Sequence, residues 1–378
     1  MPWVGCWTTS PVITDGLSFA NQTLRMIGRV SLGGRRVRVR LSNAFGQKRL
    51  SIGAARIALR TNGAAIVPGS DRALTFSGKP GCVIPPGALM VSDPVDFEMP
   101  PLADVAVSVH LPGEVPESAG ITGHGNCHQT SYISAPGDHT GAAELPVAKT
   151  TEAWVIVTGI EVEAPDGAGG IVCFGDSLTD ANLSSLDANH RWPDQLARRL
   201  AQRANSRPLG IMNQGIGGNR ILHDMRGDCG LKRFDRDVLA QPGATHVIVF
   251  LGINDIRFRA DRAHEVVSAE EMTNGLGQLA TRAKAHGLKA YGCTLLTFED
   301  ETFLAGAYTK EGETKRQAVN AWIRGSGAFD AVIDFENALR DPAHPTRMLP
   351  QYDCGDHLHP SDAGYDRLGD EIDLNLFE

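Results

Sequence analysis

Three residues in the second half of the sequence have the side chains that a serine-based nucleophilic reaction requires. Ser177 ends an apolar run in IVCFGDSLTDA, and Asp356 and His359 lie close together in DHLH. A serine hydroxyl is weakly nucleophilic at neutral pH and needs a base within hydrogen-bond reach, which a carboxylate must orient. We therefore predict that Ser177 is a nucleophile, His359 its base and Asp356 the carboxylate that orients the base.

Acyl transfer to a serine also needs hydrogen-bond donors for the oxyanion that forms in the transition state. Each such donor lowers the barrier by about 2.7–4 kcal/mol. The sequence offers the backbone N–H of Ser177, the backbone N–H of Gly218 in GIGGN and the side-chain amide of Asn254 in GINDI. We predict that these three groups form an oxyanion hole, and that glycine at 218 leaves room for the acyl group.

Short apolar runs alternate with helical patterns after residue 170 and must position these residues. The runs lie at 171–174, 209–213, 246–252, 288–296 and 331–335. Such alternation predicts a parallel sheet with helices on both faces, in which ligands bind at the carboxyl ends of the strands. FGDSLTD, NQGIGGNR and FLGINDIR each follow a predicted strand, and DCGDHLHPSDAGY precedes the last helix. All four motifs are therefore expected at one edge of the sheet.

The first part of the chain has a different hydrophobic pattern. In ADVAVSVHLPG, Val105, Val107, Val109 and Leu111 alternate with other residues, and Gly and Pro separate many such stretches. This pattern is typical of an all-β sandwich or jelly roll. EAPDGAGG at 163–170 has the composition of a linker. We predict an accessory β domain at 1–166 and an α/β domain at 167–378.

The order of the blocks that contain Ser177, Gly218, Asn254, Asp356 and His359 resembles the SGNH (GDSL) hydrolase superfamily. The resemblance covers about residues 171–378 and implies a three-layer, flavodoxin-like domain in which these five residues have the roles given above. The opening WVGCWTTSP and the β-rich first part are similar to the two-domain, XynE-like bacterial esterases. That resemblance implies an esterase acting on sugar acetates or on lysophospholipids.

Glycine motifs suggest two other kinds of site, and both have less support in the sequence than the serine site described above. GIGG could belong to a dinucleotide-binding loop, but the third glycine of that motif is missing and the run follows the second predicted strand. The nucleophile elbow of α/β-hydrolases is also absent, because Thr179 occupies the place of its last glycine.

Metal-ligand side chains occur in two places. His357 and His359 lie beside Asp356, but no third ligand has the usual spacing and the serine requires His359. HGNCHQTSY contains His124, Cys127 and His128, which we interpret as incidental. We predict neither a metal nor another cofactor.

Aromatic residues in LTFEDETFLAGAY follow the fourth predicted strand. Phe298, Phe303 and Tyr308 could line a substrate pocket over the same edge of the sheet. Packing of the three rings beneath a long loop is an equally good interpretation.

Composition limits the partners. The chain has 378 residues and a net charge of −8, which argues against nucleic acid because such binders have a basic surface. The charged face of GGRRVRVRL is expected to be solvated.

No signal peptide and no membrane span are apparent, so we expect a cytoplasmic protein, or a secreted or periplasmic one if a leader has been removed. The oligomeric state stays open, as does pairing of Cys229 with Cys354 or of Cys82 with Cys127.

These observations favour a serine esterase acting on short-chain esters or acetylated carbohydrates. A lysophospholipase, a longer-chain lipase and an acyltransferase would use the same residues. A different class of protein also stays open, in which the β domain is a carbohydrate-binding module and the second domain an inactive scaffold.

Overall fold

The structure is a computed structural model and describes residues 1–203, 207–257 and 262–378. The chain forms two units. The first contains Met1–Ala168 with the short segments Leu186–Asn189 and Pro208–Gly210. The second contains Gly169–Ser185, His190–Arg207 and Ile211–Glu378. Domains with boundaries at 1–166 and 167–378 stay a prediction.

The first unit is built from strands, as the sequence predicts. They are β1 Trp3–Thr8, β2 Val12–Ile13, β3 Phe19–Arg29, β4 Gly34–Ser42, β5 Leu50–Ile52, β6 Ala54–Leu59, β7 Arg72–Leu74, β8 Cys82–Ile84, β9 Leu89–Val91, β10 Val95–Met99, β11 Asp104–Val115, β12 Thr122–Gly125, β13 Ser131–Pro136, β14 Val147–Thr151, β15 Ala153–Val155 and β16 Val157–Glu163. One sheet has the order β1-β16-β4-β10 with β9 also on β4, and another the order β14-β13-β3-β11-β6-β7. Two small sheets, β15-β12-β2 and β5-β8, complete the unit.

Strand β11 shows why this unit has a continuous core. Its alternating residues Val105, Val107, Val109 and Leu111 are fully buried in one hydrophobic cluster, which confirms the predicted common face. Ala106 belongs to a second, smaller cluster. Successive side chains of a strand point to opposite faces, so β11 contributes to both clusters. A jelly-roll topology stays a prediction.

The charged face of β4 differs from the expectation that it is simply solvated. Arg40 Nη2 lies 2.8 Å from Glu161 Oε1 on the neighbouring strand β16, and Arg38 pairs with the same carboxylate. Glu161 is only 1% exposed. A buried carboxylate is costly without charged partners, and the two arginines supply them.

The second unit has a five-stranded sheet, with β17 Gly169–Gly175, β18 Leu209–Gly215, β19 Ala244–Phe250, β20 Lys289–Cys293 and β21 Ala331–Ile333. The order is β18-β17-β19-β20-β21, and β17 with β19, β19 with β20 and β20 with β21 pair in parallel. In chain order this is 2-1-3-4-5, the order of flavodoxin-like sheets. The predicted parallel sheet is confirmed, and β17, buried along its whole length, lies between two neighbours.

The α-helices that the structure describes all lie in the second unit's part of the chain, and the first unit has one 3₁₀ turn at Glu117–Ala119. They are α1 Ser177–Asp180, α2 Trp192–Gln202, α3 Gly230–Phe234, α4 Ile253–Arg257, α5 Ala269–Ala285, α6 Lys310–Gly325, α7 Phe335–Leu339 and α8 Asp362–Glu371. A π-helical turn at Asp235–Leu239 continues α3. Within the described ranges, every helix is too short or too polar to cross a membrane.

All seven cysteines are free thiols. The pairs that the sequence left open, Cys229 with Cys354 and Cys82 with Cys127, are therefore not disulfides in this structure. Burial raises the pKa of Cys173, consistent with a small apolar side chain in the core.

Ser268 followed three residues later by Glu271 predicts a capping box, and helix α5 begins with one. The Ser268 hydroxyl accepts from the Glu271 backbone N–H at 3.1 Å, and the Glu271 carboxylate accepts from the Ser268 N–H at 2.7 Å. Two of the N–H groups that a helix start leaves without intrahelical acceptors are thereby satisfied.

Replacing Ser268 with alanine should lower the free energy of unfolding by about 1 kcal/mol, because the Glu271 N–H loses its acceptor. Urea unfolding of wild type and Ser268→Ala measures the difference. Thr273→Ala is the matched control, since that hydroxyl only donates to the Glu270 carbonyl within the helix. Equal losses for the two variants would contradict the capping role.

Candidate active site

Ser177 lies immediately beyond the central strand β17. Gly175 ends the strand, and a side chain there would collide with the Phe250 carbonyl, 2.5 Å from the Cβ position. Asp176 caps α1, its carboxylate accepting from the Leu178 N–H at 3.0 Å. Ser177 is therefore the first residue of a short helix that begins directly at the sheet edge, and it is 4% exposed.

A continuous hydrogen-bonded chain joins the three residues predicted for the nucleophilic reaction. His359 Nε2 lies 3.0 Å from Ser177 Oγ, and His359 Nδ1 lies 2.6 Å from Asp356 Oδ2. A carboxylate can only accept, so Nδ1 carries the proton and Nε2 is the acceptor for the serine hydroxyl. The structure thus brings Ser177, His359 and Asp356 together with the polarity that proton transfer from the serine requires.

Asp356 is held in its charged form. Burial alone would raise its pKa, but the His359 side chain and the backbone N–H groups of His359 and Leu358 outweigh burial and hold the pKa well below the usual range. The two backbone bonds measure 2.7 and 2.9 Å to Oδ1. The carboxylate therefore has one oxygen for the backbone turn and one for the imidazole.

Gly218 lies in the turn that follows β18. The Asn219 N–H donates to the Ile216 carbonyl at 3.1 Å, and Gly218 has φ +74°. A positive φ at the third position and not at the second is the geometry of a type II turn, which glycine adopts without steric cost. The sequence suggested room for an acyl group as the reason for glycine, and the structure adds this backbone reason.

Asn254 lies in the first turn of α4 and is fully buried. Its side-chain amide donates to the Asn219 carbonyl at 3.0 Å, and its amide oxygen accepts from Arg257 Nη1 at 3.0 Å. The predicted oxyanion residues Gly218 and Asn254 are thus connected through the residue next to Gly218.

Arg233 is a residue of this site that the sequence analysis missed. Its buried guanidinium donates to the Gly175 carbonyl at 2.7 Å, the Gln214 carbonyl at 2.9 Å and the Asn219 side chain at 3.0 Å. It also pairs with Asp237 at 3.0 Å. The sequence contains one indication of this ion pair, since Arg233 and Asp237 are four residues apart in a helical pattern. That spacing usually indicates an ion pair on the surface of a helix.

The three aromatic residues predicted as pocket candidates do not form one group. Phe298 is fully buried and packs edge-on against Tyr308, with ring centroids 5.2 Å apart. Phe303 is 63% exposed, and its ring centroid lies 6.0 Å from that of His359. The structure therefore brings only Phe303 beside the hydrogen-bonded chain.

The histidines considered as metal ligands have other partners. His357 Nδ1 lies 2.6 Å from Asp353 Oδ2, and His124 Nδ1 lies 2.8 Å from the Ser10 carbonyl. In the part of the chain that the structure describes, the one group of ligand atoms close enough for a metal belongs to Asp353, Cys354 and Asp356. That group contains no histidine and shares Asp356 with the imidazole of the candidate site.

Two buried carboxyl groups flank the site. The Asp255 carboxylate accepts from the Ile221 and Leu222 N–H groups at 2.8 and 3.2 Å and so holds the segment after the Gly218 turn. Burial raises the pKa of Asp255 to about 7, against the lowering effect of those N–H groups and of Arg220. Burial likewise raises the pKa of Asp176 to about 7.

Comparison with known proteins adds a family match. Residues 173–367, just over half of the chain, match the model of the GDSL-like lipase/acylhydrolase family. A search of the curated proteins gives no match.

Several solved structures are similar to part of the chain. A GDSL-like lipase from Bacteroides thetaiotaomicron is 21% identical, with 54% of this chain and 85% of that chain covered and a TM-score of 0.40. A carbohydrate acetylesterase from Sinorhizobium meliloti is 18% identical, with 53% and 94% covered and a TM-score of 0.41. An acetylxylan esterase from Geobacillus stearothermophilus is 21% identical, with 54% and 93% covered and a TM-score of 0.41.

The raised pKa of Asp255 predicts how stability changes with pH. An unfolded aspartate loses its proton near pH 4, whereas folded Asp255 keeps it to about pH 7, so this group's contribution to stability is lost as pH rises across that interval. Asp255→Asn has no such proton. The free energy of unfolding of wild type, measured relative to Asp255→Asn, should therefore fall with rising pH, by at most about 1.4 kcal/mol per pH unit.

Urea unfolding between pH 4 and pH 8 measures this slope. Asp235→Asn serves as the control because its carboxylate is exposed. A wild-type curve that runs parallel to the Asp255→Asn curve would show that folding does not raise the pKa of Asp255.

Proposed function

The chain belongs to the GDSL-like lipase/acylhydrolase family, and on that premise we propose that it is a serine esterase that hydrolyses carboxylic esters through an acyl-enzyme. The observation that carries the proposal is the hydrogen-bonded chain from Ser177 through His359 to Asp356. A serine with a neutral imidazole acceptor on one side and an ionised carboxylate behind that imidazole is arranged for general-base activation.

In the proposed mechanism, Ser177 Oγ attacks the ester carbonyl carbon as His359 Nε2 takes the hydroxyl proton. The oxyanion accepts hydrogen bonds from the N–H groups of Ser177 and Gly218 and from the Asn254 amide. When the carbon–oxygen bond to the alcohol breaks, His359 returns the proton to the leaving alcohol. Water then attacks the acyl-enzyme with His359 again as base, which releases the acid and restores Ser177. No cofactor is needed.

We propose a short-chain ester, with an acetylated carbohydrate as the leading substrate. Ser177 and His359 are only 4% and 2% exposed, and we expect a small acyl group to reach so buried a pair more readily than a long one. The resemblance of the N-terminal part to XynE-like esterases fits an acetylated carbohydrate, and it fits a lysophospholipid equally well.

A longer acyl chain is the second candidate. Phe303 exposes an aromatic ring to solvent beside the His359 imidazole, where it could cover an alkyl chain. Lysophospholipase or lipase activity would follow from that contact, and acyl transfer would follow if an alcohol replaced water.

Ser177→Ala should lower the rate of p-nitrophenyl ester hydrolysis by about 10³-fold or more, because the nucleophile is removed. Initial rates with acetate, butyrate and octanoate esters and with an acetylated xylo-oligosaccharide test the mechanism and the acyl-length preference together. A maximum at acetate would support the short-chain proposal, and a maximum at octanoate would support the second candidate.

The control is Ser185→Ala, which removes an exposed serine hydroxyl a few residues further along the chain. It should keep wild-type rates. Hydrolysis by Ser177→Ala at the wild-type rate would contradict the serine mechanism. Inactivity of wild type on every ester would instead favour a binding module on an inactive scaffold.

The pH dependence tests the roles of His359 and Asp356. A protonated imidazole cannot accept the serine proton, so kcat/KM of wild type should fall as pH drops from about 8 to about 5. Asp356 stays ionised throughout this range because its pKa is well below the usual one.

Asp356→Asn should lower kcat by about 10⁴-fold. It should also move the acid limb of the kcat/KM profile to lower pH, because the His359 imidazolium loses its counter-charge.

Asp353→Asn is the matched control, since Asp353 makes the equivalent contact with His357 in the same turn. Its acid limb should coincide with that of wild type. A wild-type profile that stays flat to pH 5 would remove His359 from the role of base.

A further inference from the structure

The Asn254 amide has only one orientation that satisfies its neighbours. Arg257 can only donate, so the atom at 3.0 Å from its Nη1 must be the amide oxygen. The Asn219 carbonyl can only accept, so the atom at 3.0 Å from it must be the amide nitrogen. One hydrogen of the amide nitrogen is used by Asn219, and the second has no acceptor among the residues that the structure describes.

Arg257 is itself held by a buried ion pair. Its Nη2 lies 2.8 Å from Glu301 Oε2 and its Nε 3.3 Å from Oε1, so the guanidinium and the carboxylate meet edge to edge. Arg257 is 2% exposed and Glu301 has no exposed side-chain surface. This two-bond geometry restricts rotation of the guanidinium and leaves Nη1 directed to Asn254.

Glu301 belongs to a loop that also contacts the His359 end of the site. Its carboxylate accepts from the backbone N–H groups of Phe303 and Leu304 at 3.1 and 3.3 Å. The Thr302 N–H donates to the Asp356 carbonyl at 3.0 Å, and the Phe303 ring lies against the His359 imidazole. One carboxylate therefore connects the Asn254 amide to the loop beside the base.

We propose that the Arg257–Glu301 ion pair is a positioning device for ester hydrolysis, which holds the Asn254 amide with its nitrogen toward the oxyanion. The proposal rests on the proposed function, since an oxyanion forms only if Ser177 attacks an ester. A preoriented donor acts without reorganisation during the reaction, whereas an amide free to rotate must be ordered at that moment. Arg257 and Glu301 are thus positioning residues, which act on the reaction through the Asn254 amide.

Removal of Arg257 should act through Asn254 and not independently of it. Asn254→Ala is expected to lower kcat by ~10²-fold, the loss typical of one oxyanion donor. Arg257→Met should lower kcat by ~10-fold with little change in KM, because the donor is still present but no longer fixed. The double variant should be no slower than Asn254→Ala alone, since without the amide there is nothing to position.

The experiment is a double-mutant cycle on kcat and KM for p-nitrophenyl acetate hydrolysis, with circular dichroism melting of each variant. Arg257→Lys should recover only part of kcat, because one ammonium group cannot bridge the amide oxygen and both carboxylate oxygens. Losses of kcat that multiply in the double variant, or a full recovery with lysine, would overturn the proposal. A lower melting temperature with unchanged kcat would also overturn it, since that indicates a structural role alone.

Two further variants keep the test decisive. If Arg257→Met does not fold because Glu301 is left unpaired, Arg257→Met with Glu301→Leu removes both charges, a change that proteins often tolerate. This pair should fold and still lose kcat. Arg316→Met is the control, because Arg316 is equally buried between Glu313 and Glu336 and makes no contact with Asn254. It should change the melting temperature and leave kcat within about twofold.

Failure of the underlying function is separable from failure of this inference. Wild type that hydrolyses no ester, or Ser177→Ala that keeps its activity, would remove the serine mechanism and the positioning role with it. Loss of activity in Ser177→Ala together with a multiplicative cycle would remove the positioning role alone.

Discussion

The buried guanidinium of Arg233 is the interaction on which the geometry of the second unit's sheet edge depends. It donates to Gly175 at the end of β17, to Gln214 near the end of β18 and to Asn219 after the Gly218 turn. A buried carbonyl group is costly unless donors reach it, and the Gly175 carbonyl accepts from the Ile216 N–H at 3.2 Å as well as from Arg233. One side chain that reaches several buried acceptors at once therefore sets the spacing between the strand end before Ser177 and the turn that contains Gly218.

The same logic of donors and acceptors extends through the rest of the site. Arginine can only donate and carboxylate can only accept, so each contact orients the group between them. Asp356 determines which nitrogen of His359 carries the proton, and Arg257 determines which atom of the Asn254 amide faces it. The directions of the polar groups thus follow from a small number of buried or half-buried charges.

Burial changes the pKa of carboxyl groups in this network. Arg233 pairs with Asp237 and Arg257 with Glu301, whereas the carboxyl groups of Asp255 and Asp176 accept from backbone N–H groups. Burial outweighs the effect of those N–H groups and of the nearby arginines, and it raises the pKa of both aspartates to about 7. The site is therefore built with carboxyl groups that titrate in a range where exposed aspartates do not.

The sequence by itself determined the alternating strands and helices of the second unit, the β-rich first unit, the capping box at Ser268 and the residues of the Ser177–His359–Asp356 chain. These are readable because each depends on a local pattern: hydrophobic period, a cap four residues long, or an Asp and a His within one turn. Only the tertiary structure decided the contacts of Arg233, the pairing of Arg257 with Glu301 and the separation of Phe303 from the buried Phe298. Arg257 and Glu301 are 44 residues apart in the chain, and no periodicity connects them. Their contact follows from packing of the α4 segment against a distant loop, and the low dielectric of that packed interior is what makes the pairing necessary.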